Sequence, residues 1–213
     1  ADHPEIELYA SMDPAKEVGG DFYDFFMIDS DHFAVVVGDV SGKGVPAALF
    51  MVVAKTLLKN VGLQETSPAR IFEKVNDQLC EGNDAGLFVT CWMGILTLST
   101  GKLLFANAGH TPPVIFHEGR VEYLTVKPNL MLAGMPVAFI SRTAMSAYFS
   151  MYWLRVIFCV CASAQGVTSS VIRIRNRFIM AKIINNVRHC FRREPRWKRL
   201  SGDCILPCRR RGP

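Results

Sequence analysis

The period of the apolar residues changes twice along the first 138 residues, and that order restricts the fold more than any other feature. Ile6 to Ala10 alternates apolar and polar. Phe22 to Ile28 is rich in aromatics, and Phe33 to Val37 is largely β-branched. Asp29-Ser30-Asp31 between the last two is turn chemistry, so the pair predicts a hairpin. Pro46 to Val61 then reads as a helix ended by Gly62, with Ala47, Ala48, Met51, Val52, Lys55, Leu58 and Lys59 as its inward stripe. Ser67 as N-cap and Pro68 open a second helix, Ala69 to Cys80, with Ile71, Phe72, Val75 and Leu79 at helical spacing. The period returns to two in Leu87 to Leu98 and Leu103 to Asn107. A further hairpin of Val114-Ile115-Phe116 and Val121 to Leu124 follows. Adjacent helices between antiparallel strand runs predict a layered α+β fold, not an alternating parallel one.

This grammar stops near residue 138, and the charge changes sign there. Residues 1–138 hold 9 Lys+Arg against 17 Asp+Glu, and residues 139–213 hold 15 against 2. The domain reading is therefore 1–138 as an organised unit and 139–213 as a basic, cysteine-containing tail expected to be poorly ordered. Seven cysteines in 213 residues are too few for a disulfide scaffold. The free thiols fit a reducing cytoplasm, where the protein is expected to reside. Their spacings (Cys159, Cys161, Cys190, Cys204, Cys208) match no usual zinc module. Residues 144–164 are long and apolar enough to cross a bilayer, but Arg155 at the centre disfavours it. The basic tail carries no nucleic-acid reading motif, which leaves non-specific phosphate contact at most. The polar, acidic opening is no signal peptide. Without an initiator Met, the chain reads as a piece of a longer protein.

Two segments carry the chemistry. Val18-Gly19-Gly20-Asp21-Phe22-Tyr23-Asp24 and Val37-Gly38-Asp39-Val40-Ser41-Gly42-Lys43-Gly44 each place a carboxylate at a strand edge beside glycines. If the strands pair, Asp21 and Asp39 converge. Converging carboxylates repel unless a cation lies between them, and oxygen donors suit hard cations such as Mg²⁺ or Mn²⁺. Gly20 and Gly42 let backbone approach and free the Val40 carbonyl as a further donor. Asp beside Gly is also ordinary turn chemistry, which is the competing reading. Gly38 to Lys43 only mimics a phosphate-binding loop, because it is one residue short between its glycines and lacks Ser or Thr after Lys43.

These two segments, followed by Ala47-Ala48, Asn76 with Leu79, Phe88-Val89-Thr90, Asn107-Ala108-Gly109-His110-Thr111-Pro112-Pro113 and Leu132-Ala133-Gly134, stand in the order of a known family. The chain resembles the SpoIIE/RsbU branch of the PPM metal-dependent serine/threonine phosphatases from about residue 8 to 136. The resemblance implies a β-sandwich flanked by helices, here incomplete on its C-terminal side. It implies two Mn²⁺ or Mg²⁺ ions and a catalytic water acting on phosphoserine or phosphothreonine. It makes Asp39 the bridging carboxylate, Val40 the carbonyl donor, Asp21 a ligand directly or through water, and Asp24 a residue behind the ligands. Asn107 and His110 stand on the substrate side or fix the loop before Pro112-Pro113. Asn76 and Phe88-Val89-Thr90 read as structural. The implied partner is a phosphorylated regulatory protein such as an anti-sigma-factor antagonist, with a sensor domain upstream. The alternative is a catalytically inactive module that binds a phosphoprotein.

The family pattern continues with a T-D-G segment whose Asp binds metal. The nearest text here, Ala164-Gln165-Gly166-Val167-Thr168, has Gln165 in its place. Shifting the reading frame from Met145 allows E-R-V-F-L-H-V-L-A-P-G-D-L-L, which fits the family's continuation. Residues from about 140 are therefore read as frameshifted text. The expectation is a lost metal ligand, missing strands for the second sheet, weak metal binding and little turnover.

Overall fold

In a computed structural model, the described residues are 6–13, 18–117, 120–124, 130–136, 147–150, 158–160 and 167–174. The Asp29-Ser30-Asp31 turn joins β2 (Phe22–Met27) to β3 (His32–Val40), and the two run antiparallel with Phe22 opposite Gly38. Asp29 caps the turn by accepting from the Asp31 and His32 N–H groups, each at 2.8 Å. β3 then pairs with β4 (Val89–Thr97), β4 with β5 (Lys102–Ala108), and β5 with a short strand described below.

Between β3 and β4 the chain makes α1 (Val45–Gly62) and α2 (Pro68–Cys80). Both pack on one face of the sheet. Phe22, Phe26, Ala34, Val36, Cys91, Met93 and Ile95 meet Ala54, Leu58, Ile71, Val75 and Leu79 there. Burial of each large apolar side chain contributes about 1.5–3 kcal/mol. The opposite face holds Phe33, Val37, Trp92, Leu96, Leu103 and Phe105, also buried. Trp92 and Phe105 stack at 5.9 Å. Burial on both faces explains why β3 reads as a nearly unbroken apolar run rather than an alternating one.

The helices fall where the sequence predicts, with two corrections. The buried stripe of α1 is Ala47, Ala54, Leu58 and Gly62, while Val52 is 55% exposed. Gly62 sets this phase: a Cβ there would come within 2.8 Å of the Phe26 ring, so the helix lies close at that point and turns Val52 outward. Ser67 occupies the N-cap position of α2 in an extended conformation, but its side chain makes no capping bond. Its N–H donates instead to the Glu65 carboxylate at 3.1 Å.

The second sheet has the order β1-β10-β9-β6-β7. It contains β1 (Ile6–Asp13), β6 (Val114–His117), β7 (Arg120–Tyr123), β9 (Phe158–Val160) and β10 (Val167–Ile174). β6 and β7 are the hairpin expected from the sequence. β8 (Ala147–Ser150) extends the first sheet beside β5. Strands β8, β9 and β10 lie in the segment expected to contribute none. Several of their residues are β-branched or aromatic (Val167, Thr168, Val171, Ile172, Ile174; Tyr148, Phe149, Phe158), types enriched in strands. The readings on Arg192 to Arg211, Cys190, Cys204 and Cys208 lie outside the described residues, as does Gln165.

Candidate metal and phosphate site

Asp39 is the penultimate residue of β3, and Asp21 immediately precedes β2. Because Phe22 pairs with Gly38, the antiparallel register carries Asp21 alongside Asp39. The turn of chain is closed by the Val40 N–H, which donates to the Gly20 carbonyl at 3.2 Å. A Cβ on Gly20 would stand 2.6 Å from the Val40 carbonyl oxygen, so only glycine lets the first segment pass this close. Gly38 is needed for the same reason: a Cβ would meet the Phe22 ring at 2.5 Å and the Thr90 carbonyl oxygen at 2.9 Å.

The two carboxyls meet. Asp39 is pushed up to about 7, first by burial, then by the hydrogen bond it shares with Asp21 and by the Asp21 charge. Two acids this close share a proton rather than ionise together.

A row of polar side chains continues across the sheet end. Thr90 is directly opposite Asp39 on β4, hence on the same face. Its hydroxyl lies 2.9 Å from His110 Nδ1 and donates to the Asp39 main-chain carbonyl at 3.4 Å. His110 is held by Asn107: its N–H donates to Asn107 Oδ1 at 2.7 Å, and Asn107 Nδ2 donates to its carbonyl at 2.8 Å. Both residues are buried. Burial drives the Cys91 thiol, one residue along β4 from Thr90, upward and keeps it neutral.

Of the residues expected at the site, the structure gathers Asp21, Asp39, Val40 and Gly20, with His110 and Asn107 reaching it through Thr90. Asp24 is not gathered. It shares the strand face of Phe22 and Phe26, accepts from the Phe25 N–H at 2.9 Å, and pairs with Lys59 of α1 at 3.9 Å. Gly42 sits in the following loop at φ 92°, near the Leu87 side chain. That loop is tied to the residues before β4: the Ser41 N–H donates to the Phe88 carbonyl at 2.8 Å, and Ser41 Oγ accepts from the Phe88 N–H at 2.9 Å. Asn76 is structural, as read: its side chain donates to the Met135 carbonyl and accepts from the Ala133 N–H, both at 2.9 Å. Thr90, read from the sequence as structural, stands beside Asp39 through the β3–β4 register.

The donors present are two carboxylates and the Val40 carbonyl, all oxygen, which fits one hard divalent cation. Among the described residues no group of three or more His, Cys, Asp or Glu side chains could hold a metal. The second ion of the expected pair therefore has no further carboxylate among them.

The fold is that of the PP2C-type phosphatases. The phosphatase domain of SpoIIE from Bacillus subtilis superposes with a TM-score of 0.61 at 16% identity, covering 73% of this chain and 45% of that one. RsbX in complex with magnesium superposes with a TM-score of 0.58 at 16% identity, covering 75% of each chain. Residues 29–146 match the family of stage II sporulation protein E (SpoIIE), more than half of the sequence, and the chain belongs to that family. Protein IcfG of Synechocystis sp. is 30% identical over 163 residues, covering 63% of this chain and 26% of its own length. The phosphoserine phosphatase RsbU of Bacillus subtilis is 29% identical over 130 residues, covering 61% of this chain and 38% of its own length. The chain thus spans between a quarter and two-fifths of these relatives.

Proposed function

We infer that this domain is a PPM-type phosphatase that hydrolyses phosphoserine or phosphothreonine on a regulatory protein, with Mn²⁺ or Mg²⁺ as cofactor. The observation that carries the reading is the meeting of Asp21 and Asp39, with the Val40 N–H bonded to the Gly20 carbonyl next to them. Asp39 and Asp21 would hold the cation, and the Val40 carbonyl would complete the protein's share of its shell. When bound there, the cation supplies charge neutralisation for the phosphoryl oxygens and a nucleophilic water at neutral pH. The chain's own part is orientation. The β2–β3 pairing brings Asp21, just before β2, alongside Asp39 on β3, and the bond from the Val40 N–H to the Gly20 carbonyl ties the two segments together. Similarity to the phosphoserine phosphatases RsbU and RsbP supports a phosphorylated regulatory partner, for which we propose an anti-sigma-factor antagonist. A cytoplasmic setting and an upstream sensor are proposed with it.

The absence of a third acidic ligand among the described residues favours reduced turnover and supports a second reading, an inactive phosphoprotein-binding module. We attribute that lack to a shifted reading frame from about residue 140. The nucleotide sequence tests this, and an alternative frame without family-like text would refute it. Mn²⁺-dependent phosphate release from a phosphoserine peptide separates the two functions. Measurable release abolished by Asp39→Asn supports the hydrolase. Peptide binding without release supports the binding module.

A further inference from the structure

His110 and Thr90 belong to the same row as the carboxylate pair, yet neither is a donor to a cation. The geometry points to them as a positioning pair for Asp39; the inference rests on the hydrolase reading only for its catalytic consequence. The His110 backbone is clamped by Asn107 at the end of β5, its N–H donating to Asn107 Oδ1 and its carbonyl accepting from Asn107 Nδ2, so its ring has a fixed origin. Nδ1 lies 2.9 Å from Thr90 Oγ1, which fixes the Thr90 rotamer. A threonine hydroxyl has one proton, so with it directed at the Asp39 carbonyl the imidazole Nδ1–H donates to Thr90. The 3.4 Å contact to the Asp39 main-chain carbonyl is long, and the stronger constraint is lateral: Thr90 is the directly opposite, same-face neighbour of Asp39 on β4. The pair thereby ties the end of β5, through β4, to the last two residues of β3. Groups that orient ligands in this way act on metal affinity without touching the metal.

Two backbone amides report this directly. The Val40 N–H donates to Gly20 and the Ser41 N–H to Phe88, so both are protected only while the end of β3 is held. Amide hydrogen exchange on the full chain, metal-free, would compare Thr90→Val and His110→Phe with the conservative Thr90→Ser and His110→Asn. Thr90→Val and His110→Phe should speed exchange at Val40 and Ser41 by ~10-fold while Ala34 to Val36 stay unchanged. Mn²⁺ affinity by calorimetry should fall by ~10-fold in the same two variants and return to within about twofold in Thr90→Ser and His110→Asn. Unchanged exchange at Val40 and Ser41, or a uniform rise along β3, overturns the proposal and leaves a structural role. If exchange responds as expected and the parent chain binds no Mn²⁺, the positioning pair stands and the metal-dependent reading fails. If Mn²⁺ binds equally well to the parent and to Thr90→Val, the positioning role fails and the hydrolase reading is untouched.

Discussion

At the residue scale the carboxyl pair has a measurable signature. The folded Asp39 holds its proton to about 7, well above the 3.8 of an ordinary aspartate. The folded state therefore binds more protons than the unfolded one between those values, and stability falls as pH rises through that window. Metal-free protein should melt at a lower temperature at pH 7 than at pH 5, and Asp39→Asn should flatten the difference; scanning calorimetry at the two pH values reads it. Saturating Mn²⁺ should reverse the trend, because the cation takes the proton's place. Gly20→Ala would drive a methyl into the Val40 carbonyl, and urea unfolding should show a loss of about 1–3 kcal/mol with weakened Mn²⁺ binding. The two aspartates were legible from sequence because each stands beside glycine at a strand edge. Asp24 was misassigned although its parity was visible: residues 22, 24 and 26 share one face, and that face carries Phe22 and Phe26 into the helix-side core. Thr90 was not legible, because its place beside Asp39 depends on the β3–β4 register, which spans 51 residues of chain.

At the scale of elements, the strand and helix order follows from periodicity, while the phase of α1 depends on one close contact at Gly62. Val45, Leu49, Val52 and Val53 consequently face outward at 50–64% exposure. Leu49→Lys should change stability by less than about 0.5 kcal/mol, whereas Leu58→Ala, fully buried, should cost about 2–5 kcal/mol in the same denaturant titration. α2 is bound to the 130–136 loop through Asn76, which is buried and makes both of these bonds across more than fifty residues. Asn76→Ala should cost about 1–3 kcal/mol, since it strands the buried Ala133 N–H and takes a donor from the Met135 carbonyl. That loop in turn bridges to β4 through reciprocal Val89 and Leu132 bonds at 2.9 and 2.8 Å, one residue from Thr90. Nothing in the local sequence of Asn76 announces this link, because its partners lie far along the chain.

At the scale of the whole molecule, the first sheet and its helices account for most of the described core, and the second sheet depends on β10. Register pairs from Ile6 opposite Ile174 to Asp13 opposite Val167 make β10 the neighbour of β1. Ending the chain at residue 138 removes β8, β9 and β10. Amides of residues 6–13 should then lose protection while those of β3 and β4 keep it; equal protection of residues 6–13 in both chains would show that β1 is held by something else. The charge changes sign near residue 138, while the family match runs on to residue 146, and composition alone did not foretell that strands beyond residue 138 pair with β1, β5 and β6.

Mn²⁺ titration calorimetry on this chain and on Asp39→Asn tests the central claim most directly. The account predicts saturable binding to the parent chain and its loss in the variant. No binding to the parent, or equal binding to both, would contradict a metal site built on Asp21, Asp39 and Val40.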